Sequence, residues 1–68
     1  PLAIEHYQLL LQHYPNRADW WLGLAVSEER QANKEAALQA YRQAIAKPGL
    51  TQNVSDYARQ RIKILQGF

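Results

Sequence analysis

Three interruptions limit what this chain can fold into. Pro15-Asn16, Ala32-Asn33 and Pro48-Gly49 fall at nearly even spacing and leave four stretches between them. Within each stretch apolar residues recur at intervals of three and four, and none alternates with a period of two. That pattern predicts an all-α fold with no sheet. The first helix is expected over 2–14, stopped by Pro15. The second and third together are expected over 17–47, the second opened by an Asn16 cap with Asp19 in its first turn and the third by an Asn33 cap. Pro48 and Gly49 end the third helix. A fourth is expected over 53–66, with Asn53 as its cap and Asp56 three residues on.

The four stretches differ in how much of their circumference is apolar. On the first, Ala3, Ile4, Tyr7, Leu10, Leu11 and Tyr14 share one arc. The third carries a stripe of Ala37, Ala40, Tyr41, Ala44 and Ile45, with Leu38 at its edge, and an opposite face of Gln39, Arg42 and Gln43. That helix has one wet side. On the second, Trp20, Trp21, Leu24 and Ala25 cover one arc and Leu22 and Val26 continue it, leaving Gly23, Ser27 and Arg30 as a narrow polar strip. A helix patterned this way is flanked on two sides. Trp20 and Trp21 lie about 100° apart, so one is expected to face the helix before and the other the helix after, both buried in joints.

Sixty-eight residues make one domain, 1–68, and so short a chain does not build a deep, water-excluding active site. The net charge of +2 is small and its charged residues are scattered, so no nucleic-acid partner is expected. With no cysteine there is neither a disulfide framework nor a thiolate metal site, and the composition leaves the compartment open. No apolar run approaches the length of a membrane span, and this segment is not expected to contact a membrane. The absence of methionine, with proline first, points to a segment of a longer protein.

Shifted against itself by thirty-four residues, the sequence aligns Ala3 with Ala37, Tyr7 with Tyr41, and Leu10 and Leu11 with Ala44 and Ile45. Thirty-four is the tetratricopeptide period. The central segment resembles that family: Trp21 at the aromatic position of the first helix, Leu24 and Ala25 at the Leu-Gly pair, Ala32 at the small turn position, and Ala37, Tyr41, Ala44 and Ile45 at the second helix's signature positions. Glu28 stands where the family has an aromatic. Pro48 comes one residue early, and matching the expected cap at Asn53 to Asn16 takes an offset of thirty-seven. The resemblance implies antiparallel helix pairs in a right-handed superhelical solenoid fragment of four helices: the second helix of an incomplete repeat, one complete repeat and a terminal capping helix. It also implies a non-catalytic scaffold that binds another protein or peptide without a cofactor. At a looser level the chain is similar to the carboxy-terminal repeat region of pilus-biogenesis proteins of the mannose-sensitive haemagglutinin type. That likeness implies a role in bacterial pilus or secretion machinery and a parent anchored in the inner membrane, against a cytoplasmic alternative.

Carried over residue by residue, the family's groove falls on Asp19, Leu22, Val26, Glu29 and Arg30, an apolar centre with charged ends that suits a ligand helix or apolar strip. The bland alternative is that Leu22 and Val26 lie under another repeat. His6 and His13 share one helix two turns apart, ~10.5 Å of rise, too far to hold one metal ion, and with Leu2 and Leu9 they mark an end interface open to a further helix or a second copy. A structural cap or homo-oligomerisation unit of a larger solenoid is therefore the alternative function, ahead of a basic binder of nucleic acid or an anionic surface. Glu28 and Glu29 diverge around the helix and do not form a paired acid and base. No Ser or Thr has a histidine partner at a recognisable spacing, so no enzyme is expected. Arg59, Arg61 and Lys63 do not share a helix face, which argues for a solvated surface over a nucleic-acid patch. Glu28 and Arg61 are the two charges set among apolar neighbours, and they are expected to pair between the second and fourth helices.

Overall fold

The computed structural model describes residues 2–67, and the expected domain limits at 1 and 68 lie outside the described residues. Four helices follow one another: α1 (Leu2–His13), α2 (Ala18–Arg30), α3 (Lys34–Ala46) and α4 (Gln52–Leu65). Among the described residues there is no strand. Each helix packs mainly on its chain neighbours, α1 on α2, α2 on α3 and α3 on α4. α2 is thus flanked on two sides, as its wide apolar circumference requires.

The core draws on every helix. Ile4 and Leu11 from α1, Leu24 and Ala25 from α2, Ala37, Ala40 and Tyr41 from α3, and Ala58 from α4 form one buried cluster. Small residues dominate α3, where Ala37, Ala44 and Tyr41 are fully enclosed. An alanine stripe lets neighbouring backbones approach closely, and Tyr41 fills the space that remains. Leu38, expected at the edge of the stripe, is buried as well. The apolar arc of α1 is wetter than its pattern implies, since Ala3 and Tyr14 at its two ends are exposed.

The helix starts differ from expectation at two places. Arg17, not Asn16, is the N-cap of α2; it makes no capping bond, and its guanidinium instead grips Asp19, with Nε donating to Oδ1 at 3.0 Å and a terminal nitrogen to Oδ2 at 2.7 Å. Thr51, not Asn53, caps α4, its hydroxyl accepting from the Val54 amide at 3.3 Å. The two N-caps, Arg17 and Thr51, therefore stand thirty-four residues apart, and the offset of thirty-seven disappears. Asn33 does cap α3 by position, but its side chain serves another group. The turn before it is closed by Ala32 at φ 61°, a left-handed conformation in which its Asn33 neighbour can donate its backbone N–H to the Glu28 carbonyl at 2.9 Å.

The two tryptophans are half-buried, not enclosed, and each makes a specific contact with the α1–α2 connection. Trp20 meets Tyr14 edge to face at 5.4 Å between centroids, and the Arg17 guanidinium lies 4.2 Å from the centre of its indole. Trp21 donates its indole N–H to the Pro15 carbonyl at 2.7 Å. Both indoles also pack against the core that α1, α2, α3 and α4 share, and through these contacts they pin the turn at Pro15. Gly23 is likewise not part of a polar strip. Tyr7 of α1 lies directly over it, so close that an added Cβ would stand 2.7 Å from the Tyr7 hydroxyl.

Candidate functional site

The site is built on the C-terminal half of α2 and the middle of α4. Val26, Glu29 and Arg30 share one side of α2 through i, i+3 and i+4 spacing. Together with Tyr57 and Arg61 from α4 they line an open depression of about 310 Å³. Three of the five groove residues expected from sequence are thereby brought together. The other two are elsewhere. Asp19 is exposed and ion-paired to Arg17, beside a separate depression that reaches Pro48 and Gly49. Leu22 is half-buried against the core.

Glu29 forms the floor. One of its oxygens accepts from the Tyr41 hydroxyl at 2.8 Å and from Arg61 Nε at 3.3 Å, and the other accepts from a terminal nitrogen of Arg61. A single carboxylate thus ties α2 to α3 and to α4. The hydrogen bond from Arg61 holds the Glu29 carboxyl below its usual range against the opposing effect of burial, and Tyr41 works in the same direction as Arg61. Glu29 in turn raises the Arg61 guanidinium. Burial, then the adjoining Glu29 and Tyr57, pushes the Tyr41 hydroxyl above the ordinary phenol value of 10.0. Tyr57 stands edge to face against Tyr41 at 6.4 Å and keeps 46% of its surface exposed at the rim.

The ion pair between α2 and α4 exists, but its acid is Glu29 and not Glu28. Glu28 is buried on the α3 side, where the Asn33 side-chain amide donates to it at 2.8 Å. It therefore occupies the enclosed position where the resemblance has an aromatic, with one of its oxygens hydrogen-bonded to Asn33. Among the described residues no buried side-chain polar atom lacks a partner.

The residues expected at an end interface are all exposed on α1. Leu2 is 83% and Leu9 55% exposed, with His6 and His13 on the surface beside them. Arg59 pairs loosely with Asp56 at 3.8 Å on the outer side of α4. Tyr57 and Arg61 were not in the sequence-derived groove, since that set was drawn from one helix. The signal that points to them is the apolar and basic side of the fourth helical stretch, where Tyr57 and Arg61 stand four residues apart. No helix among the described residues is long and apolar enough to cross a membrane. No family model matches the chain, nor does any curated protein or solved structure.

Proposed function

We propose that this chain is a tetratricopeptide-like, non-catalytic module that recognises another protein or peptide, with the α2–α4 surface as its docking groove. The observation that carries the reading is burial at most of the signature positions, with Ile45 half-buried and the turn residue Ala32 exposed. Leu24, Ala25, Glu28, Ala37, Tyr41 and Ala44 are all buried, and Trp21 packs against the same core. Two further features support a stacked-pair arrangement. Equivalent helix starts recur at thirty-four residues. The molecule is also 14 Å thick across its Cα atoms, which suits two layers of helices whose axes lie ~8–10 Å apart. In such a stack α2 and α4 are helices of one kind and form one face, the face that carries the depression. A setting in bacterial pilus or secretion assembly rests on the narrower resemblance alone.

The test is a selection of displayed twelve-residue peptides against the chain, with the Val26→Glu variant as the comparison. The reading expects peptides that bind the chain and lose binding to Val26→Glu while its helical circular dichroism is unchanged. Peptides that bind both proteins alike, or no peptide at all, would count against the groove. A second reading, a homo-oligomerisation unit, is favoured by exposed Leu2 and Leu9 on α1. Sedimentation equilibrium of the chain and of Leu9→Glu separates it: a dimer lost in the variant supports it, and a monomer throughout removes it.

A further inference from the structure

We infer that the α2–α4 depression is a subsite for a carboxylate side chain flanked by an apolar side chain on a partner peptide; this rests on the protein-recognition reading above. The lining carries three charges, Glu29, Arg30 and Arg61. Two of them cancel, because Arg61 engages both oxygens of Glu29, one of which also accepts from Tyr41. Neither is left free to hold a ligand without breaking a contact that joins three helices. Arg30 is different. It lies one residue beyond Glu29, is exposed, and makes no ion pair among the described residues. The unbalanced charge of the depression is therefore one accessible guanidinium.

The remaining walls are apolar. Val26 sits one turn before Arg30 on the same face of α2, ~6 Å away along the axis, and the partly exposed Tyr57 ring lines the same depression from α4. A guanidinium one helical turn from an aliphatic and aromatic wall matches an acid next to an aliphatic residue in a peptide. The volume of about 310 Å³ is at the low end of ligand pockets, ~300–1,000 Å³, which fits side chains better than a cofactor. A cationic ligand would meet two arginines. A phosphate group, with about two negative charges, would find only one guanidinium that is not already engaged. A single carboxylate is the anion that this arrangement balances.

The experiment is an amide-resonance titration of the chain with a blocked tetrapeptide holding one glutamate beside a leucine, and with its glutamine counterpart. The glutamate peptide is expected to shift resonances at Val26, Arg30, Tyr57 and Arg61. The glutamine peptide should bind about threefold to fivefold more weakly, the size of an exposed ion pair, and added salt should narrow the gap. In Arg30→Gln, at an exposed residue with no ion pair among the described residues, both peptides should bind alike. Equal binding by the unaltered chain, a glutamate preference that survives Arg30→Gln, or shifts centred elsewhere would each overturn the inference. So would binding of the glutamine peptide restored by a free C-terminus, which would assign the subsite to a chain end. Displayed peptides that depend on Val26 but show no acidic preference would sink this inference and leave the recognition reading standing, whereas loss of Val26 dependence would sink that reading itself.

Discussion

Replacing Gly23 with alanine is expected to destabilise the protein, although the same change in an open helix stabilises by ~0.8–1.0 kcal/mol. The reason is Tyr7, whose ring end would lie within 2.7 Å of the new Cβ at its hydroxyl and closer still at the ring carbons. The backbone of α2 cannot retreat, because Leu24 and Ala25 are fixed in the core, so Tyr7 must swing out. A packed aromatic ring removes ~150–250 Å² from water, and Tyr7 is half-buried. Losing roughly 100 Å² of that contact costs about 2.5 kcal/mol at ~25 cal/mol per Å². Set against the helix preference, the net loss is about 1.5 kcal/mol, and the melting temperature of a domain this size should fall by ~6–12 °C. Once Tyr7 is alanine the space is empty, and Gly23→Ala should then stabilise by the full ~0.8–1.0 kcal/mol. Urea unfolding of the four proteins, followed by helical circular dichroism and tryptophan fluorescence, measures both values. If Gly23→Ala raised stability equally with and without the Tyr7 ring, the close approach of α1 to α2 at this point would be wrong.

Tyr41→Phe should lower stability at neutral pH by ~0.5–1.5 kcal/mol through the lost hydrogen bond to Glu29. It should also blunt alkaline unfolding: the raised Tyr41 value means its stabilisation is complete below the ordinary 10.0 and falls as pH rises beyond it, which tyrosine absorbance during an alkaline titration will read. Thr51→Ala should cost ~1 kcal/mol as a lost cap, whereas Asn53→Ala should be nearly silent in thermal melts; the reverse order would restore the cap to Asn53. A double-mutant cycle on Glu29→Gln and Arg61→Met should show coupling, and one on Glu28→Gln and Arg61→Met should be additive. Coupling in the second cycle alone would return the pair to Glu28.

The helices and the core were legible because both depend on a pattern that repeats along one element. Ala37, Tyr41 and Ala44 fall on one stripe at helical spacing, and that stripe is buried. The helix starts were less so, because Asn16 and Arg17, or Thr51 and Asn53, compete within one turn and local preference does not separate them. Ala58, with Ile62 and Leu65 packed beside it, faces the core whichever residue is the cap, and the Thr51 hydroxyl is the one that reaches the Val54 amide. Gly23 was misread for another reason. A helical wheel ranks it by polarity, while its actual constraint is a tyrosine sixteen residues earlier on another helix. The pairing of Arg61 was hardest, since adjacent glutamates point ~100° apart and only the placement of α3 and α4 selects between them.

That selection gives α2 its role in the molecule. Its first half is bound backwards, through Trp20 on Tyr14 and Trp21 on the Pro15 carbonyl, to α1 and the turn that follows it. Its second half is bound forwards by two neighbouring acids with different duties. Glu28 accepts from Asn33 and so fixes the turn into α3, and Glu29 accepts from Tyr41 and Arg61 and so fixes α3 and α4 together. Gly23 lies between the halves, under the Tyr7 ring of α1. The adjacent tryptophans and the adjacent glutamates are thus the two ends of one device. A helix with neighbours on both sides needs specific contacts at each end to hold its rotation, because apolar packing alone is non-directional. The same rotation sets where Val26 and Arg30 face. A change at Glu29 should therefore reach the groove by turning or loosening α4, and its effect on peptide binding should exceed that of an equally exposed charge on α1.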